Sequence, residues 1–350
     1  MTSYSNNVNF NYSIDSKILF IDSNDRDIAK WPNSSEFEIN CPQVYNNVQS
    51  LNLLNIVLPN PIYNISDYLQ NNKLVIDISG TGYGTGPCII TLEDGYYDVE
   101  TLRSSLQNKI NRTTSENLVV AYNNVSRKYY FGHTNSHNHV RPNGNIVTDN
   151  ITNAGFFKLI FDKQLDFSSS CITNVNVYSQ HSNWGLGYIL GFDKKTYSSI
   201  TIDSSNNLTF DYSANTWIDT SNASVISSPY PHTLDSNENI YIELEKYNKC
   251  DELKPYLSYN YNNSNSGIVN SAFAKIPISN LATYNSNITV LLDNEISSTV
   301  SYFKPPIEKL AKIKIKIRYH NNMLVDLQNT NVSLSLSINQ EVKDFAPLLR

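Results

Sequence analysis

Charge is scarce in this sequence. Asp, Glu, Lys and Arg make up 17% of its 350 residues, against about 25% in an ordinary soluble domain. The balance is not basic either: 26 Lys and Arg stand against 32 Asp and Glu, a formal net charge of −6. A nucleic-acid binder carries a basic total or a basic face, so the composition argues against genome coating and no specific nucleic-acid partner is expected. Cysteine is sparse. Cys41, Cys88, Cys171 and Cys250 lie far apart with no Cys-x-x-Cys pair. Zinc-site spacing is therefore absent, a chain of this length needs no disulfide scaffold, and reduced thiols are expected. No apolar run approaches the ~20 residues of a membrane span. Met1 to Asn11 is polar and Asn-rich, unlike a secretory leader. The Asn-x-Ser/Thr triplets at Asn33 and Asn150 are then read as chance products of composition, not glycosylation sites.

Asn, Ser, Thr and 24 Tyr fill the space that charge leaves. Tyr pairs a rigid apolar body with a polar tip and is common at interfaces; it also suits strands. Both readings stay open.

Strand patterns dominate. Lys17–Ile21 is a short apolar run. Phe37 and Ile39 alternate with polar neighbours, and Val48, Leu51, Leu53 and Ile56 continue to Pro59 and Pro61, which forbid a central strand beyond. Leu74–Ile78 and Cys88–Leu92 flank a Gly-rich hairpin signal, and Leu118–Tyr122 and Lys128–Phe131 flank Asn123-Asn124. One helix is expected after Gly95, capped by Asp98, with Val99, Leu102, Leu106 and Ile110 as its apolar stripe. Ile240–Leu244 alternates, and Pro277 suits a strand edge or end. Ala311, Ile313, Ile315, Ile317 and Tyr319 alternate strictly with Lys312, Lys314, Lys316 and Arg318; Val332, Leu334, Leu336 and Ile338 alternate with serines. Such period-two patterning implies one buried and one exposed face. The pattern predicts an all-β fold: an antiparallel jelly-roll sandwich with one short helix and long loop insertions. Residues 1–350 read as a single elaborated domain with 132–237 as a loop-rich insertion.

No motif carries catalysis, no enzyme is expected and no cofactor is called for. Gly80 to Gly86 lacks the Gly-Lys-Ser/Thr of a phosphate loop and meets Pro87, so it reads as a turn. His133, His137 and His139 form a small cluster in a polar loop without a Cys nearby; a solvated loop is favoured over a metal set. Asp25-Arg26-Asp27 reads as a turn tied by ion pairs in preference to a calcium loop. Lys312, Lys314, Lys316 and Arg318 would touch phosphate or an acidic protein surface, or simply guard a strand against aggregation.

Several segments carry a resemblance. Leu19–Asp27 (LFIDSNDRD), Trp31-Pro-Asn33 and Phe37-Glu-Ile39 resemble the opening of minor capsid and penton proteins of large icosahedral nucleocytoplasmic DNA viruses. Val48–Leu53, Val57–Asn60, Leu92–Tyr97, Ala272–Ile278 and Leu310–Ile317 resemble later parts of that family. Asn321-Asn322 stands where the family often has Asp-Gly. The middle of the chain is unmatched. The resemblance implies a jelly-roll virion protein, a penton or a minor capsid component, assembled in the host cytoplasm. Its implied partners are the major capsid protein, other minor capsid proteins and itself as a homopentamer. The basic strand and the loop 132–150, with its three histidines, are the interface candidates. Two other classes compete: a glycan-binding attachment protein stacking sugars on Trp31, Trp184 or Trp217, and a β-sandwich glycoside hydrolase, which needs a facing carboxylate pair.

Overall fold

The computed structural model describes residues 11–59, 62–80, 87–114, 118–133, 138–140, 146–148, 156–162, 164–165, 172–173, 185–201, 210–211, 216–217, 224–234, 239–253, 269–277, 288–291, 300–320 and 322–344. The elements used below are, in chain order, β1 (Asn11–Asp22), β2 (Glu36–Leu58), β3 (Lys73–Gly80), β4 (Pro87–Thr91), α1 (Val99–Thr114), β5 (Leu118–Asn123), β6 (Lys128–His133), β7 (Phe156–Ile160), α2 (Leu186–Ile189), β8 (Thr196–Ser198), β9 (Ile200–Thr201), β10 (Ser224–Ser227), β11 (Asn239–Leu244), β12 (Cys250–Leu253), β13 (Val269–Ala272), β14 (Ala274–Pro277), β15 (Ile288–Leu291), β16 (Val300–Tyr319) and β17 (Ser333–Asp344). Every pairing among these strands is antiparallel, so the all-β, antiparallel expectation holds. The chain divides into two compact units.

The first unit comprises Met1–Ile62, Asn237–Pro255 and Ser266–Arg350. Its sheet runs β1-β17-β2-β16-β11-β14, with β15 also paired to β2. The sequence pattern explains the burial. Ile313, Ile315, Ile317 and Tyr319 on β16 are buried, as are Leu334, Leu336 and Ile338 on β17, because period-two spacing sends alternate side chains to one face. β2 stops at Leu58, one residue before Pro59. Pro277 closes β14, the edge strand at one side.

The second unit comprises Tyr63–Ser236 and Tyr256–Asn265. It holds two four-stranded sheets, β8-β7-β3-β4 and β9-β10-β6-β5. Both feed one apolar core: Leu74 and Ile76 of β3 meet Val120 of β5, Phe131 of β6 and Phe157 of β7. The expected helix is α1, and its stripe Leu102, Leu106 and Ile110 enters that core. Asp98 caps it: its Oδ1 accepts the Thr101 N–H at 2.7 Å, and the Thr101 hydroxyl accepts the Asp98 N–H at 2.9 Å. The two expected hairpins form, with β3 paired to β4 and β5 to β6. The Gly-rich turn at 81–86 lies outside the described residues.

Several described pieces of the stretch 132–237 supply core residues. Phe157, Leu159 and Phe161 come from β7 and its end, Leu186, Ile189, Leu190 and Phe192 from α2 and after it, and Ile226 from β10. These elements are four or five residues long, too short for periodicity to show against a background of Ser and Asn. Phe161 and Phe192 stack at 5.0 Å. Gly187 allows this packing, because a Cβ there would come within 2.4 Å of the Phe161 ring.

Two stability changes are expected. Leu106→Ala deletes a fully buried side chain and should cost about 2–5 kcal/mol in urea unfolding. Asp98→Ala removes the cap and should cost roughly 0.5–2 kcal/mol at neutral pH. The Thr101 N–H, against a smaller opposing effect of burial, holds the Asp98 carboxyl below its ordinary value. A lowered pKa stabilises above the unfolded value and is lost as pH falls through the folded one. The gap between Asp98→Ala and the parent should therefore narrow as the pH drops below about 4.

Candidate functional site

The basic strand is the first candidate surface. Lys312, Lys314 and Lys316 lie on β16 opposite its buried isoleucines, as expected. The register adds what spacing alone does not show. β2 sets Asn40, Glu38 and Glu36 across from Lys312, Lys314 and Lys316, and β11 sets Glu243 across from Lys316. The ion pairs that result run diagonally as well as across. Lys312 lies 3.4 Å from Glu38, Lys314 3.0 Å from Glu36 and Lys316 4.0 Å from Glu243. The lysines are therefore half of a mixed-charge lattice. Lys314 also stands 5.0 Å from the centre of the Trp31 ring, and Lys30 stands 5.2 Å from it. Trp31 is thus already engaged by two ammonium groups. Trp184 lies outside the described residues, and Trp217 falls on the two-residue strand Thr216–Trp217.

Arg318 corrects the sequence expectation. Period two put it on the exposed face with the lysines, yet its side chain is fully buried. The reason lies in strands distant in sequence. Its Nε bonds Glu243, its Nη2 donates to Glu252 Oε2 at 2.7 Å and to the Ser271 carbonyl at 3.4 Å, and its Nη1 donates to the Tyr319 carbonyl at 3.2 Å. The guanidinium lies 5.1 Å from the Tyr241 ring centre. Burial alone would disfavour the charge, but the hydrogen bonds that Arg318 donates to Glu252 and Glu243 outweigh it and hold the guanidinium above its ordinary range.

His320, which the sequence reading passed over, meets the other oxygen of Glu252 through Nδ1 and lies 5.9 Å from Tyr241, ring to ring. An open cleft of about 450 Å³ adjoins this network, lined by Tyr241, Cys250, Glu252, Lys275 and His320 among others. Its groups are set to hold rather than to react. Both Glu252 oxygens are engaged. Burial, and then Asp251, push the Cys250 thiol up, away from the nucleophilic thiolate. Burial, and then Glu252, push up the Tyr241 hydroxyl. The signal for this cluster was Glu252 and His320 beside strand patterns, but nothing in spacing pairs residues 68 positions apart.

The remaining candidates are dispersed. His133 ends β6, where its backbone pairs with Leu118 and Ser224. His139 lies on the short strand Asn138–Val140, opposite Val147, and His137 lies outside the described residues. Among the described residues, no group of three His, Cys, Asp or Glu is placed to hold a metal ion. In the Asp25–Asp27 turn Arg26 ties the loop through carbonyls instead of through its acidic neighbours. It donates to Ser23 O at 2.6 Å, Trp31 O at 3.0 Å and Pro32 O at 3.3 Å. Asp27 instead accepts the Ala29 and Lys30 N–H groups. Among the described residues no helix is long and apolar enough to cross a membrane.

Three comparisons give context. Residues 9–129 match a family of unknown function, DUF5901. No curated protein matches the sequence. Among solved structures the chain is similar to the mavirus penton protein, at 11% identity and a TM-score of 0.43, over 95% of this chain and 100% of that one. It is also similar to a chain of the Sputnik virophage cryo-EM structure, at 10% identity and a TM-score of 0.40, over 93% and 98%.

The two kinds of ion pair predict different costs. Glu252→Ala leaves the Arg318 charge buried without its main partner and should lose about 3–5 kcal/mol in denaturant unfolding. Lys314→Ala removes a partly exposed pair and should lose less than about 1 kcal/mol. Equal losses would show that the Arg318 network is no more than another surface pair.

Proposed function

We propose that this chain is a virion structural protein of jelly-roll type, a penton or minor capsid component that packs against the major capsid protein to build or close an icosahedral shell. The observation that supports this reading is where the resembling segments fall. Leu19 to Asp22 ends β1, Phe37–Ile39 and Val48–Leu53 lie in β2, Ala274–Pro277 is β14, and Leu310–Ile317 lies in β16. All four strands belong to one sheet. The likeness therefore falls mainly on the framework of that sheet, as a shell protein requires, with Leu92–Tyr97 ahead of α1 as the part outside it.

Surface chemistry fits the same reading. Lysines on β16 are matched by glutamates on β2 and β11, so a neighbour can approach without meeting a block of like charge. Tyr12, Tyr68, Tyr230 and Tyr302 are exposed, and Tyr supplies contact area at low entropic cost. On this reading Lys312, Lys314 and Lys316 of the basic strand, without the buried Arg318, and the loop 132–150 are contact surfaces, and the role is non-catalytic.

Quantitative mass spectrometry of purified virions, with a cryo-EM map, tests the proposal. We expect the chain at a fixed ratio to the major capsid protein. Five copies at each vertex would make it the penton, and copies between major capsid units would make it a cementing protein. Absence from virions would sink the reading. Lys312→Glu should weaken co-assembly with the major capsid protein while changing the stability of the free chain by less than about 1 kcal/mol.

A further inference from the structure

The sheet of the first unit ends differently at its two edges. At one, β14 is four residues long, exposes Lys275 and stops at Pro277. Lysine, proline and shortness each discourage a further strand. At the other, β1 runs for 12 residues in unbroken register with β17. It contains neither Pro nor Gly, and among the described residues β17 is the one strand that pairs with it. Leu19 and Ile21 point into the core, while Tyr12, Ile14, Ile18 and Phe20 are 54%, 68%, 56% and 77% exposed. A long, regular edge with apolar side chains invites another strand.

We propose that β1 pairs antiparallel with β1 of a second copy of this chain, about a two-fold axis at Ser16. The sequence of the strand is self-complementary in that register. Ser16 meets Ser16 of the copy, Ile18 meets Ile14, Phe20 meets Tyr12 and Lys17 meets Asp15; the symmetry makes each of the last three contacts twice. Asp15 and Lys17 pair with each other at 3.5 Å along the strand, and with side chains 48% and 42% accessible they are exposed enough to exchange that partner for its counterpart in the copy. Apolar and opposite-charge cross-strand pairs stabilise such a ladder, and like charges directly opposite destabilise it. The neighbouring registers that keep both core faces on one side fail on these grounds. One sets Lys17 against Lys17 and Ile18 against Ser16. The other sets Asp15 against Asp15 and Ile14 against Ser16. The contact is isologous and closes at two copies, and the lone edge lysine that would otherwise guard β1 becomes part of it.

The inference stands apart from the shell reading, since a two-fold pair in solution would hold even for a protein absent from virions. Light scattering on the purified full-length chain, over a concentration series at low salt, should give twice the chain mass. Asp15→Lys and Lys17→Asp each place like charges opposite and should each be monomeric. An equimolar mixture of the two variants should form a heterodimer, which no effect within a single chain would produce. Ser16→Cys should form a reducible covalent dimer on mild oxidation, beyond any seen for the parent, because residues directly opposite in an antiparallel pair have Cα atoms about 4.5–5.5 Å apart. A parent chain monomeric at every concentration overturns the proposal. So do single charge variants that associate as the parent does, or a mixture that stays monomeric.

Discussion

Strand β2 is bonded along both edges at its centre, and the first unit is built around that fact. Val48, Ser50, Leu51 and Asn52 pair with β16 on one side and with β17 on the other. A strand bonded on both edges cannot shift relative to one partner without breaking the other, so register across the sheet is fixed there. The one irregularity at this point is shared: both pairings slip between Val48 and Ser50. An extra residue in a ladder bends the strand and strengthens its twist. Against β17 the extra residue lies on β2, whereas against β16 the excess lies on the partner, between Tyr302 and Ile307; Gln49 bonds Glu341 of β17.

That fixed register has electrostatic consequences at the end of β16. Once Phe37 lies opposite Ile315 and Glu36 opposite Lys316, the acidic residues of β2 must face the lysines of β16. Once Glu243 of β11 lies opposite Lys316, it also reaches Arg318. A buried guanidinium needs acceptors for its fork of donors, and it finds them on β11, on the hairpin of β12 and β13, and in its own backbone. The matched charges of the polar face and the buried network at Arg318 are thus two results of one alignment.

The alternation of β16 and β17, the end of β2 before Pro59, the cap and stripe of α1 and both hairpins were legible in the sequence, because each is a local pattern of three to a dozen residues. Which strands lie side by side was not. That gap accounts for Arg318: spacing correctly assigned it to the polar face, but the cover over that face comes from Glu252 and Ser271. It accounts equally for the lysines, whose glutamate partners on β2 lie more than 270 positions away. In the middle of the chain the difficulty was different. Phe157, Leu159 and Phe161 alternate over too few residues to stand out, and a single helical turn at Leu186–Ile189 has no period to read.

The pairing of β1 with β17 joins Ser16 to Asn339, 323 positions apart. Loop closure over such a span comes late, since its entropy cost is met before any contact is gained. On a ribosome adding about 5–20 residues per second, β1 emerges early and then waits tens of seconds for its partner strand. Through that interval Leu19 and Ile21, buried in the finished sheet, share solvent with Ile14, Ile18 and Phe20, and both faces of the strand are apolar at once. The nascent chain is therefore stickier than the folded one, and its exposure to misassembly is set by the time needed to synthesise the last strand.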